Sequence, residues 1–426
     1  MFRASWSTPL GSSTKIISQI SRCFHQTQTI WQHQIPVQTY RCTVDAEPLH
    51  RYRPGGYHPL ALNDVLKDGR YKILHKLGWG GSSTTWAAKD QKDGRDVAVK
   101  INVSERKENN ELKISQMLSA LHARNPGKSH VNQMLDHFTL VGPNGSHDCL
   151  VLELVGPSVA GFVDAHCKDD RLPSKLAKRF AKQTLQGLDF LAANNIGHGD
   201  LHSGNIALEV PGLEFLRESD LLDELGEPDM GLVTRSDGKP LEANVPTHIV
   251  RPARFRTSTV LSSLSIKIID FGEAFLNSNV PSTLHTPLSV RAPEVVFGGR
   301  LDLRVDLWSA GCLVKIFELI TGQTPFDGIM LTASNLAQQM VELATDELPS
   351  RWQEKWLAIP EDQMSALDEE YTPHTWMRAV YFDNDKRAEF TEEEIARAAE
   401  LIPRLLKFEP SLRDTSKELL ADAWFD

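Results

Sequence analysis

Three short segments of this sequence carry residue types that handle phosphate and metal, and they follow one another in a telling order. The first is Leu77-Gly78-Trp79-Gly80-Gly81-Ser82-Ser83-Thr84-Thr85-Trp86. Its glycines let a backbone turn approach a triphosphate without side-chain clash and offer N–H groups to its oxygens. The turn leads from one predicted strand into another, whereas a dinucleotide-binding turn leads into a helix. By itself such a turn is only a turn. Its weight comes from Val97-Ala98-Val99-Lys100, an alternating strand whose lysine can point inward to the α- and β-phosphates, with Glu111 on the next predicted helix to hold the ammonium. The second segment is His198-Gly199-Asp200-Leu201-His202-Ser203-Gly204-Asn205. Asp200 offers a carboxylate to accept or orient a hydroxyl proton, and Asn205 an amide oxygen that can ligate a metal. In the third, Ile268-Ile269-Asp270-Phe271-Gly272-Glu273, an apolar strand delivers Asp270 to chelate the Mg2+ that bridges the phosphates. The chemistry these groups share is phosphoryl transfer from ATP.

Elements of two kinds must hold them. Tyr71 to Leu77, Thr84 to Lys89 and Asp96 to Val103 read as a β meander, the last two joined through Lys92-Asp93-Gly94. A helix from about Asn109 and a buried strand over Cys149 to Leu154 follow. After Gly156-Pro157 the apolar spacing becomes helical over Ser174 to Asn195, Arg304 to Leu319 and Glu392 to Leu406. The fold class expected is α+β and bilobal, with a β-rich lobe over 71–155 and a larger helical one over 156–426. Residues 45–70 form an extension before it. Residues 207–264 separate the two later motifs, begin acidic and continue through Gly, Pro and Ser, which reads as a spacer insertion. A second acid-rich stretch spans 342–400, including Asp368, Glu369 and Glu370. Either stretch is a solvated face or a docking surface.

At 426 residues, 41% apolar and 24% charged, the chain has room for one bilobal unit and no stretch that approaches the roughly 18 uncharged apolar residues a spanning helix needs. The five cysteines lack paired spacing, so neither a disulfide framework nor a zinc site is expected. A formal net charge of −10 argues against nucleic acid as a direct partner and for a cationic one. Residues 1–44 contain no Asp or Glu and are rich in Ser and Thr. They read as a disordered tail, with a mitochondrial transit peptide as the alternative.

With these motifs in hand, the sequence resembles a eukaryotic protein kinase from about Tyr71 to Phe425. Arg291-Ala292-Pro293-Glu294, Asp306-Leu307-Trp308-Ser309-Ala310-Gly311 and Arg413 in Glu409-Pro410-Ser411-Leu412-Arg413 add to the likeness. The resemblance implies a buried Glu294–Arg413 ion pair. It implies an ATP site between Leu77, Gly78, Gly80, Ser83, Thr85, Ala98 and Lys100, with Glu153, Leu154 and Val155 as the adenine-binding hinge behind Leu152. It implies Asp200, Lys100, Glu111, Asn205 and Asp270 as catalytic residues, the last and Asn205 also as metal ligands. Within that family the chain is similar to the SR-protein kinases of the CMGC group, in a fungal-type branch. Tyr52-Arg53-Pro54-Gly55-Gly56-Tyr57-His58-Pro59, the form of the glycine-rich loop, the spacer, and Gly199 after the catalytic-loop histidine carry that likeness. It implies a monomeric serine/threonine kinase of the nucleus and cytoplasm that acts on a basic, Arg/Ser-rich protein, such as a splicing factor, without binding nucleic acid or membrane. The missing arginine at Gly199 implies activity without activation-loop phosphorylation.

Several positions depart from the family pattern. Thr85 replaces a valine that packs on adenine, Ser82 an aromatic loop tip, and His202 a lysine that contacts the γ-phosphate. Pro287 stands where a threonine usually braces the catalytic aspartate, with Thr286 beside it. Two rival readings remain at this level. One is a small-molecule phosphotransferase, whose catalytic loop resembles residues 198–205; the other is a pseudokinase scaffold.

Overall fold

The computed structural model describes residues 39–105, 110–121, 124–167, 171–256, 265–313, 317–322, 326, 331–344, 346–359, 373–382 and 389–425. Asp368, Glu369 and Glu370, and residues 1–38 of the acid-free N-terminus, lie outside them. β-branched and aromatic runs separated by short turns form β1 (Tyr71–Gly80), β2 (Ser83–Asp90) and β3 (Asp96–Asn102). β4 (Met134–Gly142) and β5 (Gly145–Glu153) complete an antiparallel sheet in the order β1-β2-β3-β5-β4, with Val65–Leu66 added at the β1 edge. Gly94 at φ 66° and Gly145 at φ 129° allow the two tight turns, in backbone regions that side chains strain to adopt.

Every residue of β3 is buried, so the period-2 rule sorts its side chains between two covered faces. Val97, Val99 and Ile101 join Tyr71, Ile73, Trp86 and Val151 in one apolar cluster. Ala98 belongs to the other face, packed with Leu74, Leu213, Leu221 and Leu225. Three of those four partners come from the stretch read as a spacer. Its helix Glu218–Leu225 buries Leu221 and Leu225, while Lys72 pairs with Glu218 at 2.8 Å. The spacer is therefore part of the small lobe's core. Its strand Thr234–Arg235 also pairs with Tyr40–Arg41, and Val44 is buried, so residues 39–44, read from the sequence as the end of a tail, pack on the spacer.

The large lobe is built on α2 (Ser174–Ala193), whose Phe180, Ala181, Leu185, Leu188 and Leu191 recur at helical spacing and are all buried. Gly187 lets it approach the strand beyond it, because a Cβ there would lie 2.7 Å from the Ile268 side chain. The expected helix over 304–319 is described in two helical stretches, α3 (Val305–Leu313) and Phe317–Thr321. The last long helix, α4 (Glu392–Leu405), starts at a Thr391/Glu394 capping box. Two strands, β6 (Ile206–Glu209) and β7 (Ser265–Ile268), pair antiparallel with Ile206 opposite Ile268. Residues 207–209, the start of the stretch read as a spacer, thus belong to the catalytic core.

The expected ion pair closes this lobe. Both Arg413 terminal nitrogens donate to the Glu294 carboxylate at 2.6 Å, and Arg413 caps the carbonyls of Arg304 and Lys407 at 2.8 and 2.9 Å over the face of Trp308. Neither side chain reaches solvent by more than 1%. Removing one partner leaves a buried charge uncompensated, so Arg413→Met should lower unfolding free energy by about 3–5 kcal/mol in denaturant titration. The double variant Glu294→Leu with Arg413→Met should recover much of that loss, since no charge then remains to be buried.

Candidate active site

Between the sheet and the helical lobe lies a cleft of about 1080 Å³. Leu77, Gly78, Gly80, Ser83, Thr85, Ala98, Glu153 and Val155 line it, as do Lys100, Asp200, Asn205 and Asp270. Glu111, Leu154 and His202 do not line it: Glu111 reaches the cleft through Lys100, and Leu154 of the expected hinge packs instead in the apolar cluster with Leu213 and Leu221.

Lys100 faces the cleft because it shares a strand face with Ala98, while its register opposite Thr85 and Leu150 fixes its height. Its ammonium lies 2.5 Å from Glu111 on α1 (Asn110–Ala120) and 2.8 Å from Asp270 of the large lobe. Burial works against the ammonium charge, but Asp270 and Glu111 outweigh it and hold its pKa above the ordinary lysine range. The same ammonium holds the Asp270 carboxyl well below the usual carboxylate range against the opposing effect of burial. Both groups are thus ionised as a pair at neutral pH.

Asp270 sits at φ 60°, a left-handed conformation, two residues past the end of β7. Its Oδ1 accepts from Lys100 and from the Gly272 N–H at 3.1 Å. The side chain is 46% exposed, toward the cleft. The β6–β7 pairing brings Asn205 beside it, and Ile269 N–H donates to the Asn205 carbonyl at 2.9 Å. Asn205 spends its Nδ2 on the Asp200 carbonyl at 2.8 Å and carboxylate at 3.2 Å, which leaves its Oδ1 to accept. A carboxylate and an amide oxygen at one rim suit a hard divalent cation that also takes phosphate oxygens.

Asp200 is held by the main chain around it. Its N–H donates to His198 Nδ1 at 3.2 Å, and the other nitrogen of that ring lies 2.9 Å from the Ile269 carbonyl. The buried Asp306 of α3 accepts from the N–H groups of His198 and Gly199 at 2.6 and 2.8 Å. Burial raises the Asp306 pKa despite these bonds and the nearby His198. Thr286, beside Pro287, donates its hydroxyl to the Gly199 carbonyl at 2.8 Å and so braces the loop one residue before Asp200. His202 approaches the Asp200 carboxylate at 3.7 Å. The remaining Asp200 oxygen, Oδ1, is buried and has no protein partner. A carboxylate oxygen left unpaired at the cleft is placed to take a hydroxyl hydrogen.

Gly199 has φ 78°, and a Cβ there would lie 2.6 Å from the Glu273 carbonyl oxygen. No larger residue fits that backbone. Three contributors from the spacer and the N-terminal extension were not legible as such. Ala253 and Phe255 of the spacer line it, carried there by the Ala253 N–H donating to the Lys76 carbonyl at 2.8 Å. Arg51 of the N-terminal extension lines it as well. Only Arg51 had a signal, its place just before the Tyr52–Pro59 motif; nothing local distinguishes Phe255.

The sequence pattern of the protein kinase domain matches residues 71–220 and 257–425, leaving 221–256 as the insert. A serine/threonine protein kinase of Aspergillus fumigatus is 28% identical over 427 residues, 95% of this chain and 98% of that protein. The serine/threonine-protein kinase SRPK of Physarum polycephalum is 30% identical over 395 residues, 87% of this chain and 88% of its own length. Human SRSF protein kinase 3 is 34% identical over 162 residues, 37% of this chain and 28% of that protein.

Asp306 gives the sharpest test of how the loop is held. Asp306→Ala strips two buried N–H groups of their acceptor, so turnover should fall at least about tenfold and unfolding free energy by roughly 2–4 kcal/mol. Steady-state kinetics with chemical denaturation would show both; a variant of normal rate would mean the loop needs no such anchor.

Proposed function

We propose, from the premise that this chain belongs to the protein kinase domain family and within it is an SR-protein kinase relative, that it phosphorylates serine in Arg/Ser-rich segments of basic proteins. It is an ATP-dependent serine/threonine protein kinase. Such a kinase uses a divalent metal; in this reading the metal is Mg2+, which Asp270 and Asn205 would hold and which would offset the negative charge of the phosphates. Lys100, steadied by Glu111, binds the α- and β-phosphates under the turn of Gly78, Gly80 and Ser83. Adenine lies between Leu77, Thr85 and Ala98 and meets the backbone of Glu153 and Val155.

The observation that carries the reading is the unpaired Asp200 Oδ1, five residues before Asn205 and across from the Lys100–Asp270 pair. Asp200 orients the serine hydroxyl and takes its proton as the oxygen attacks the γ-phosphorus, while the bond to the β,γ-bridging oxygen breaks and ADP leaves. Positioning and charge stabilisation supply most of the acceleration in such transfers. With His202 in place of a lysine, Lys100, the metal and a basic substrate carry more of the positive charge. The assembled Lys100–Glu111–Asp270 set favours turnover over a pseudokinase scaffold, in which nothing would require it.

The chain's net charge of −10 suits capture of a cationic segment. The SR-protein kinase relatives support the class, and with an Arg/Ser-rich splicing-factor substrate this reading has the enzyme act in the nucleus and cytoplasm; it also takes the enzyme to be a monomer. No described helix is long and apolar enough to cross a membrane. The Gly199 backbone leaves no room for the arginine that would read a phosphorylated activation loop, so the enzyme is active as synthesised.

Purified enzyme should phosphorylate an Arg/Ser-repeat peptide in preference to a lysine-rich basic peptide, with KM rising as salt is added because exposed charges are screened. Asp200→Asn should cut kcat by roughly 10²–10⁴ while leaving ATP affinity near normal. Phosphatase treatment should not change the rate. Equal use of both peptides would overturn the substrate class; loss of activity on dephosphorylation would overturn the claim of constitutive activity.

A further inference from the structure

The glycine-rich turn is held from outside the segment that matches the kinase domain, which begins at residue 71. Tyr57 donates its hydroxyl to the Gly80 carbonyl at 2.8 Å, and Arg51 Nη2 donates to the Gly81 carbonyl at 2.5 Å. A peptide unit is planar and trans, so its N–H points away from its carbonyl. Fixing these two carbonyls therefore fixes where the N–H groups of Gly81 and Ser82 point. Neither N–H meets a protein acceptor among the described residues. Two unclaimed backbone donors on a cleft-lining turn are suited to anionic oxygens.

The clamp is itself well anchored. The Arg51 guanidinium lies 5.3 Å from the centre of the Tyr57 ring, and Tyr57 N–H donates to the Arg51 carbonyl at 3.0 Å. Gly56 makes that reversal possible, since a Cβ there would lie 1.9 Å from the Arg51 carbonyl oxygen. Behind it, the buried Glu47 takes hydrogen bonds from Tyr52 and from Lys76, a residue of β1 just before the turn. On the far side Asn144 Nδ2 bridges the Tyr57 carbonyl and the spacer's Asn244 carbonyl at 2.7 and 2.9 Å. Asn244 donates in turn to the Tyr52 carbonyl at 3.1 Å.

We propose that Arg51 and Tyr57 are positioning residues that hold the Gly80–Gly81 turn ready for the triphosphate, so that the extension before the kinase domain sets affinity for ATP. A glycine turn with a serine at its tip has many conformations to lose when phosphate binds. Holding two of its carbonyls in advance lowers that entropic cost. The clamp acts on the phosphates and not on adenine, which lies deeper, and it does so whatever protein is phosphorylated.

The test compares Mg·ATP with adenosine, which has the base and sugar but no phosphate, by calorimetry on the full chain. Arg51→Ala and Tyr57→Phe should each weaken ATP by about two- to tenfold, the range of one hydrogen bond, and leave adenosine within about twofold. In steady state the same factor should appear in KM for ATP more than in kcat. Arg51→Lys, which keeps a donor, should recover most of the loss. Tyr57→Phe removes a single oxygen and keeps the ring against Arg51, so it guards against a variant that merely misfolds. Unchanged ATP affinity in both variants, or equal weakening of ATP and adenosine, would overturn the proposal.

Discussion

The charge on Lys100 is the constraint on which the rest of the structure depends. An ammonium that is 5% exposed is stable only beside carboxylates, and its two partners come from different parts of the chain. Glu111 belongs to the helix beside the sheet, Asp270 to the strand end of the helical lobe. Satisfying one charge therefore fixes strand β3, helix α1 and the segment after β7 relative to one another. The cleft proposed to take the nucleotide is the space left above that junction, bounded by the glycine-rich turn and the loop that carries Asp200.

A second junction lies at Lys76, on β1 just before the turn. Its side chain is buried against Glu47 of the N-terminal extension and lies 4.7 Å from the centre of the Trp86 ring, and its carbonyl accepts from Ala253 of the spacer. Burial pushes its pKa down, and Glu47 opposes that shift. One residue thus receives both additions to the common kinase core. Each then reaches the cleft, the extension through Arg51 and the spacer through Phe255. Segments remote in sequence from the catalytic motifs become walls and clamps of the same site.

The catalytic loop is held by a different means. Asp306 replaces solvent for two main-chain N–H groups, Thr286 takes the Gly199 carbonyl, and Gly199 itself adopts a backbone shape that excludes a side chain. Rigid main-chain anchoring lets Asp200 keep one oxygen unpaired without the loop collapsing onto it. This arrangement also explains how Pro287 is tolerated, since the bracing hydroxyl comes from its neighbour.

The sequence by itself determined the motif-bearing residues, because their chemistry is local: glycines in a turn, a lysine on an alternating strand, Asp200 and Asn205 five apart, Asp270 after an apolar strand. Period-2 alternation placed Ala98 and Lys100 on one face, and helical spacing found α2 and α4 to within two residues. Legible too was the Glu294–Arg413 pair, through resemblance. Only the tertiary structure decided what the spacer and the extension do. Leu221, Leu225 and Phe255 look like ordinary apolar residues in an acidic, Gly- and Pro-bearing stretch until the sheet face they cover is known. The end of the supposed tail at Tyr40–Arg41 likewise becomes a strand only because Thr234–Arg235 offers it an edge. Contacts between segments nearly 200 residues apart leave no periodicity and no motif in either one, so their pairing is written in the packing and not in the local order of residues.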